Sequence, residues 1–464
     1  MRLRRFGAVA AIALATVGCG GLGTRPGLGL PDRSGNAQVE QAFARGEKQV
    51  AVDIFGASNK QITRLIEQGF DFWAGEPAHD GRKSRVRGVM SDRQWASVQE
   101  MGLDVVKLPN TNPMNHYDPK YTTYDQMTAE LKALAAKAAG FAQLVELGKT
   151  HEGRPILALK FGIGDTSGKP AVLFSAENHA RELATPEMGI RIARWLVDGY
   201  GKDAEVTYAI DNREIWVTPM VNPDGHIKAE KGNDWRKNTN PKNGGNPNST
   251  GPTGAGVDLN RNYMSRAWGS TGTDKNPSGV TYGGPGPNSE LETQAMSKLY
   301  AARKYAFLMT FHSFSNLVMW PWNDSDQPPD DPKMPAIGKK LGELSGYHPE
   351  QGSELYYTSG DDTDHMWSQH KTYAYCIEIG GWGDGFDPPY SRVEKFWGQV
   401  HPMVKYVIKI ADNPGAVFGP EVGKAAAVRV DDKVVASRTG RQIQVRRALG
   451  TGGAWGPPEF SWAR

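Results

Sequence analysis

Four short apolar runs constrain the fold most: PAVLFSA (170–176), REIWVTPMV (213–221), YAFLMTFHSF (305–314) and TYAYCIEIG (372–380). A continuous apolar run, rather than one alternating with polar residues, is the pattern of a strand buried on both faces. Segments of helical character stand among them: YDQMTAELKALAAKAAG (124–140), TPEMGIRIARWLVDGY (185–200) and VEKFWGQVHPMVKYVIKI (393–410). The middle one reads as a helix with Thr185 at its N-cap and Pro186 in the first helical position. Strands alternating with helices define an α/β sheet covered on both faces. With 464 residues, 39% of them hydrophobic, the chain is long enough to bury such a core.

The flanking regions read differently. MRLRRFGAVAAIALATVGCGG opens with Arg2, Arg4 and Arg5, continues with an apolar stretch from Phe6 to Val17, and reaches Cys19 through small residues. This is the pattern of an export signal over 1–18, and it resembles a lipoprotein signal in which Cys19 takes the lipid. The expected location is therefore secreted, periplasmic or lipid-anchored at the cell envelope. Residues 19–45, rich in Gly, Pro and polar groups, read as a linker. Residues 46–108 read as a small unit of order β-α-β-α-β, an α+β open sandwich, with Ser91 as a helix N-cap. Residues 109–118 form a Pro-containing connector, and 119–412 carry the large α/β unit. Residues 413–464 have no assigned role beyond one strand within AAVRVDDKVVAS. Net charge is +3 and there is no basic stripe, so nucleic acid is not an expected partner. The only other cysteine is Cys376, which leaves no internal disulfide in the mature chain.

The segment SAENHARELATPE places His179 and Glu182 three residues apart at the end of a buried strand. Ligands of α/β sheets bind in crevices at such strand ends. His312 sits at the end of another apolar run. Two imidazoles and one carboxylate leave one tetrahedral position of a zinc ion open for water, which is the composition of a catalytic zinc site.

Nine motifs then occur in order: HEGRPI, NHARE, VNPDG, DWRKN, GVDLNRNY, YGGPGPNSELET, FHSFS, LYYTSGDDTDHMW and CIEIG. On these, the chain resembles the M14 metallocarboxypeptidases, the carboxypeptidase A/B/T family, over about 119–412. The resemblance implies a mixed, mostly parallel central sheet and one Zn2+ per chain held by His179, Glu182 and His312. Glu378 matches the catalytic glutamate, and Arg236 the arginine that polarises the scissile carbonyl. Asn260 and Arg261 match the pair gripping the terminal carboxylate of the substrate. Tyr356, 22 residues before Glu378, matches the mobile tyrosine, with Tyr357 as its neighbour. Asp258 matches the carboxylate that orients the first zinc histidine, and Arg181 an arginine of the outer subsites. Thr363 matches the position that selects the substrate's last side chain, with Asp361, Asp362 and Asp364 around it. Phe314 departs from the tyrosine found in many relatives. GFDFWAGEPAHDG resembles part of the family's inhibitory prodomain. The implied activity is a monomeric exopeptidase acting on peptide and protein C-termini, made as a zymogen. Hydrophobic last residues are expected first and basic ones second. A cell-wall amide hydrolase would not call for Arg261, and an inactive binding protein would not call for Glu378.

Overall fold

The computed structural model describes residues 34–463, apart from 77, 80, 81, 84, 110–113, 115, 116, 247, 425 and 426. The expected export signal, the expected lipidation position Cys19 and residues 19–33 of the expected linker lie outside the described residues.

The N-terminal unit comprises α1 (Ser34–Ala44), β1 (Val50–Phe55), α2 (Asn59–Glu67), β2 (Asp71–Gly75), β3 (Arg85–Met90), α3 (Asp92–Glu100) and β4 (Asp104–Lys107). Its strands form an antiparallel sheet in the order β2-β3-β1-β4. Capping boxes open two of the helices: Gln61 Oε1 accepts from Ser58 N, and Gln94 Oε1 accepts from Ser91 N. Gly69, at φ +97°, ends α2 in a conformation that favours glycine. Two expectations are corrected here. The linker expected to run to residue 45 contains α1, because Val39 and Ala42, one turn apart, bury themselves against Ile62, Leu65, Val98 and Val105. The unit also has a fourth strand, β2, formed by the DFWAG segment.

The large unit is built on eight strands: β5 (Ala142–Lys149), β6 (Pro155–Phe161), β7 (Ala171–Ala176), β8 (Glu214–Thr218), β9 (Phe307–Ser313), β10 (Leu317–Trp320), β11 (His348–Gln351) and β12 (Tyr373–Ile379). Their order is β11-β10-β12-β9-β7-β8-β6-β5. The inner strands β12, β9, β7 and β8 run parallel, as do β10 and β11, whereas β10–β12, β8–β6 and β6–β5 are antiparallel. The sheet is therefore mixed and mostly parallel.

Its helices are α4 (Tyr124–Lys137), α5 (Ala184–Gly199), α6 (Ala204–Asn212), α7 (Pro223–Ala229), α8 (Leu291–Ala301), α9 (Lys333–Ser345), α10 (Gly352–Leu355), α11 (Asp362–His370) and α12 (Val393–Lys409). Two cores follow from the alternation of side chains along each strand. Val172, Phe174, Met309 and Phe311 meet Leu131 of α4, Ile190 of α5, Ile337 of α9 and Val404 of α12. Leu173, Leu308 and Ala374 point the other way, to Met296 and Tyr300 of α8 and Met366 of α11. Helix α5 starts at Ala184, so Thr185 is not its N-cap. It lies inside the first turn and its hydroxyl donates to the Glu182 carbonyl at 2.9 Å.

The tail also departs from expectation. Strands β13 (Ala427–Ala436), β14 (Gln442–Gly450) and β15 (Glu459–Trp462) form an antiparallel sheet seated on α6. The Phe460 ring stacks on Tyr208 at 4.3 Å, and Trp462 Nε1 donates to the Lys202 carbonyl at 3.0 Å. Only one of these strands showed in the sequence, because β15 is a four-residue segment of alternating burial.

Phe174 is fully buried in the middle of this architecture. Phe174→Ala is expected to lower the unfolding free energy by about 3–5 kcal/mol in a denaturant titration, the range for deleting a buried aromatic ring. Val428→Thr, on exposed β13, is expected to change it by less than about 0.5 kcal/mol.

Candidate active site

The loop after β7, the end of β9 and the end of β12 converge at the C-terminal end of the parallel strands, the edge where α/β sheets place their ligands. His312 and Glu378 are register partners on adjacent parallel strands. His179 arrives by a tight turn after β7, in which Glu177 takes a left-handed backbone at φ +62°. Glu177 Oε1 lies 2.5 Å from His226 Nδ1, and His226 Nε2 lies 3.1 Å from the Thr122 carbonyl, so α7 braces that turn.

Glu182 lies between the two imidazoles. Its Oε1 is 2.7 Å from His179 Nδ1 and its Oε2 is 3.1 Å from His312 Nδ1. The two Nδ1 atoms are 3.2 Å apart. All three side chains are buried and their ligand atoms cluster within 4.8 Å. His179 Nε2 meets Asp258 Oδ1 at 3.1 Å, which leaves Nδ1 as the lone pair facing the cluster. Burial alone would raise the Glu182 carboxyl, but the two histidines hold it well below the ordinary range. Two neutral imidazoles and an ionised carboxylate fit a zinc ion with an open position. A second group, His151, Glu290 and Glu292, brings similar side chains together. There, however, the Glu290 oxygens already meet His151, Asn238, Asn240, Asn243 and Ser289, a network that ties the 238–243 loop to the start of α8.

Asp258 uses its other oxygen on Arg236, accepting from Nε at 3.0 Å and Nη2 at 2.9 Å. Burial would raise Asp258, yet Arg236 and His179 hold it well below the ordinary carboxylate range. Arg236, Asn260, Arg261, Tyr356 and Glu378 line one cavity with the histidines and Glu182. Arg261 donates to the Gly272 and Asn260 carbonyls and, through Nη2, to the Tyr356 hydroxyl at 2.9 Å. Tyr357 lies outside this cavity, its hydroxyl on Asp326 at 2.6 Å. Burial, with the nearby Glu182 charge, pushes the Glu378 carboxyl up to about 7.

The rest of the lining includes residues that sequence reasoning did not select. Met319, Asn323, Gly352, Leu355 and Cys376 share the cavity with Thr363 and Asp361, the two that the sequence had already placed at the selector. Asn323 follows β10 in a loop with no recognisable motif, and only folding carries it to the selector region. Phe314 does not line the cavity; its ring packs edge-on against Phe386 at 5.0 Å.

The N-terminal unit reaches the same place. Phe72 and Trp73 line the cavity, and the Phe72 ring sits 4.8 Å from that of Tyr356. Arg181 is fully buried and donates to both Asp71 oxygens at 2.9 and 2.7 Å, and to Asp234 at 2.9 Å. It does not line the cavity among the described residues; β2 and the loop before Arg236 enclose it.

Residues 127–402 match the zinc carboxypeptidase (peptidase M14) family model. Metallocarboxypeptidase A of Trichophyton rubrum is 34% identical over 354 residues, covering 69% of this chain and 82% of that protein. A zinc carboxypeptidase of Saccharothrix mutabilis subsp. capreolus is 27% identical over 399 residues, covering 77% and 87%. In fold, the chain is similar to carboxypeptidase A from Helicoverpa armigera, with a TM-score of 0.64 at 20% identity over 79% of this chain and 99% of that one. The matched sequence and the shared fold together make this chain a peptide hydrolase belonging to the M14 zinc carboxypeptidase family.

Proposed function

We propose that the protein removes single residues from free C-termini, with Glu378 as general base and acid and with the N-terminal unit holding the enzyme inactive. The observation that carries this reading is the cavity itself. Two arginines, a carboxylate and a tyrosine (Arg236, Arg261, Glu378 and Tyr356) line one cavity with the His179–Glu182–His312 cluster. A zinc ion held by those three residues would supply Lewis-acid chemistry, activating water and polarising a carbonyl. Glu378 would take the proton from the attacking water and return it to the leaving amine, a role suited to a carboxyl raised toward neutrality. Arg236, held flat against Asp258, would donate to the developing oxyanion. Asn260 and Arg261 would bind the terminal carboxylate, for which a guanidinium fork gives paired hydrogen bonds. Arg261 would exchange the Tyr356 hydroxyl for that carboxylate as Tyr356 moves over the substrate.

The apolar wall of Met319, Leu355 and Cys376 supports acceptance of hydrophobic last residues alongside other types. Inhibition by the N-terminal unit is supported by Phe72 and Trp73 standing in the cavity and by Asp71 holding Arg181. The composition of residues 1–18 supports export, with Cys19 as an anchor point. Among the described residues no helix is long and apolar enough to cross a membrane.

Peptides with free C-termini are expected to lose one residue at a time by mass spectrometry, and their C-terminally amidated counterparts to persist. A chelator should abolish turnover and added zinc restore it. Internal cleavage, or equal cleavage of amidated peptides, would transfer the reading to a cell-wall amide hydrolase. Glu378→Gln is expected to lower kcat by about 10²–10⁴ with zinc content unchanged. Arg236→Ala is expected to lower it by about 10²–10³, the loss typical of one oxyanion donor. For the N-terminal unit, Asp71→Ala in the full chain should raise activity at least tenfold; equal activity of the two proteins would remove the inhibitory role.

A further inference from the structure

Strand β13 leaves a bare sheet edge on the outside of the molecule. β15 and the Ile443 and Val445 side chains of β14 pack on α6, and among the described residues β13 pairs with β14 alone. Every residue from 428 to 434 is exposed. Val428, Val430 and Val434 are 61%, 40% and 55% exposed, and among the described residues no other element shows so many exposed large hydrophobic side chains. The backbone groups along the outer side of β13 face no strand, which makes that side a template for adding one.

Charge decides which strand fits. After a register shift between Ala427 and Arg429, β13 runs regularly. Successive side chains alternate, so Val430, Asp432 and Val434 share one face and Asp431 and Lys433 the other. Asp432 is paired within the chain to Arg446 at 2.9 Å. Asp431 and Lys433 form no ion pair among the described residues; Arg447, opposite Asp431, is engaged with Asp412 at 2.9 Å. When the same strand of two copies pairs antiparallel, it joins residues whose backbone groups both point outward, so the two-fold axis passes through a residue position. An axis at Asp431 or Lys433 sets like charges against each other, and one at Val430 or Val434 leaves an end of the strand unpaired. An axis at Asp432 sets Asp431 opposite Lys433 and Val430 opposite Val434, each pair occurring twice, and uses the strand from Arg429 to Val435 in full.

We propose that β13 is a self-association surface, on which a second copy of this chain pairs antiparallel about an axis at Asp432, making one six-stranded sheet from two tails. This dimer stands in place of the monomer expected from the sequence. It covers Val430 and Val434 with their counterparts, satisfies the outward backbone groups and gives Asp431 and Lys433 the partners that the single chain lacks. A protective charge on an edge strand works by meeting its own copy; opposite signs two residues apart turn that protection into recognition. The paired area is small, so association depends on concentration. No residue of the tail lines the catalytic cavity, so each copy keeps its own site.

The test is sedimentation velocity of the full chain between about 2 and about 200 µM, a range that spans the affinities of small interfaces. The wild-type protein is expected to pass from monomer to dimer across it. Asp431→Lys sets two lysines opposite one another on both sides of the axis and is expected to weaken the dimer about tenfold or more. Adding Lys433→Asp to the same chain restores opposite pairing, and the doubly substituted protein is expected to dimerise like wild type. An equimolar mixture of the Asp431→Lys and Lys433→Asp proteins is expected to form heterodimers, which separates lost pairing from misfolding. A wild-type monomer throughout the range, a dimer indifferent to Asp431→Lys, or a loss that neither the second substitution nor the mixture reverses overturns the proposal. Each of these leaves the carboxypeptidase reading standing.

Discussion

The site depends on one buried carboxylate. Asp258 divides its two oxygens between His179, which it fixes with Nδ1 toward Glu182, and Arg236, which it holds beside the same cluster. The proposed metal ligand and the proposed oxyanion donor are thereby positioned by a single group, and displacing it would misplace both at once. Asp258 can serve two partners only as an anion. The cationic Arg236 and the polarised imidazole offset the desolvation that would otherwise protonate it. Arg236 and His179, 57 residues apart in the chain, are thus linked through it.

Much of this was legible in the sequence, for a definite reason. Residues that act on one reacting centre must come from strand ends and the loops beside them, and a strand end is visible wherever an apolar run stops. His179, His312 and Glu378 all stand at such stops. Their parallel strands lie side by side, so three positions distant in sequence fall along one edge of the sheet. The mixed sheet and its two cores were likewise implied by uninterrupted apolar runs between helical segments.

What stayed illegible came from contacts without a local pattern. Helix α1 shows only two fully buried apolar positions, Val39 and Ala42, in a polar stretch that composition alone reads as a tether. Asn323 and Gly352 meet because one lacks a side chain where the other's amide must pass, a fit invisible until the chain is folded. The three aspartates around Thr363 differ in direction, which sequence does not show: Asp364 accepts from Asn323, Asp362 accepts from Asn178, and of the three Asp361 borders the cavity.

The N-terminal sheet has two faces with different roles. One holds Val52, Ile54 and Val105 in the unit's own core, whereas Ala51, Trp73, Ala74 and Val89 belong to the core of the large unit. The seam between the two units is thus continuous with the hydrophobic interior, not a polar contact laid over it. Severing the backbone between them would leave this adhesion in place, because separation must wet Trp73 and its neighbours and break the Asp71–Arg181 pair in the same event. A cut in the connector would therefore not by itself separate the units, and a nicked but still assembled molecule is a state that the architecture allows to persist.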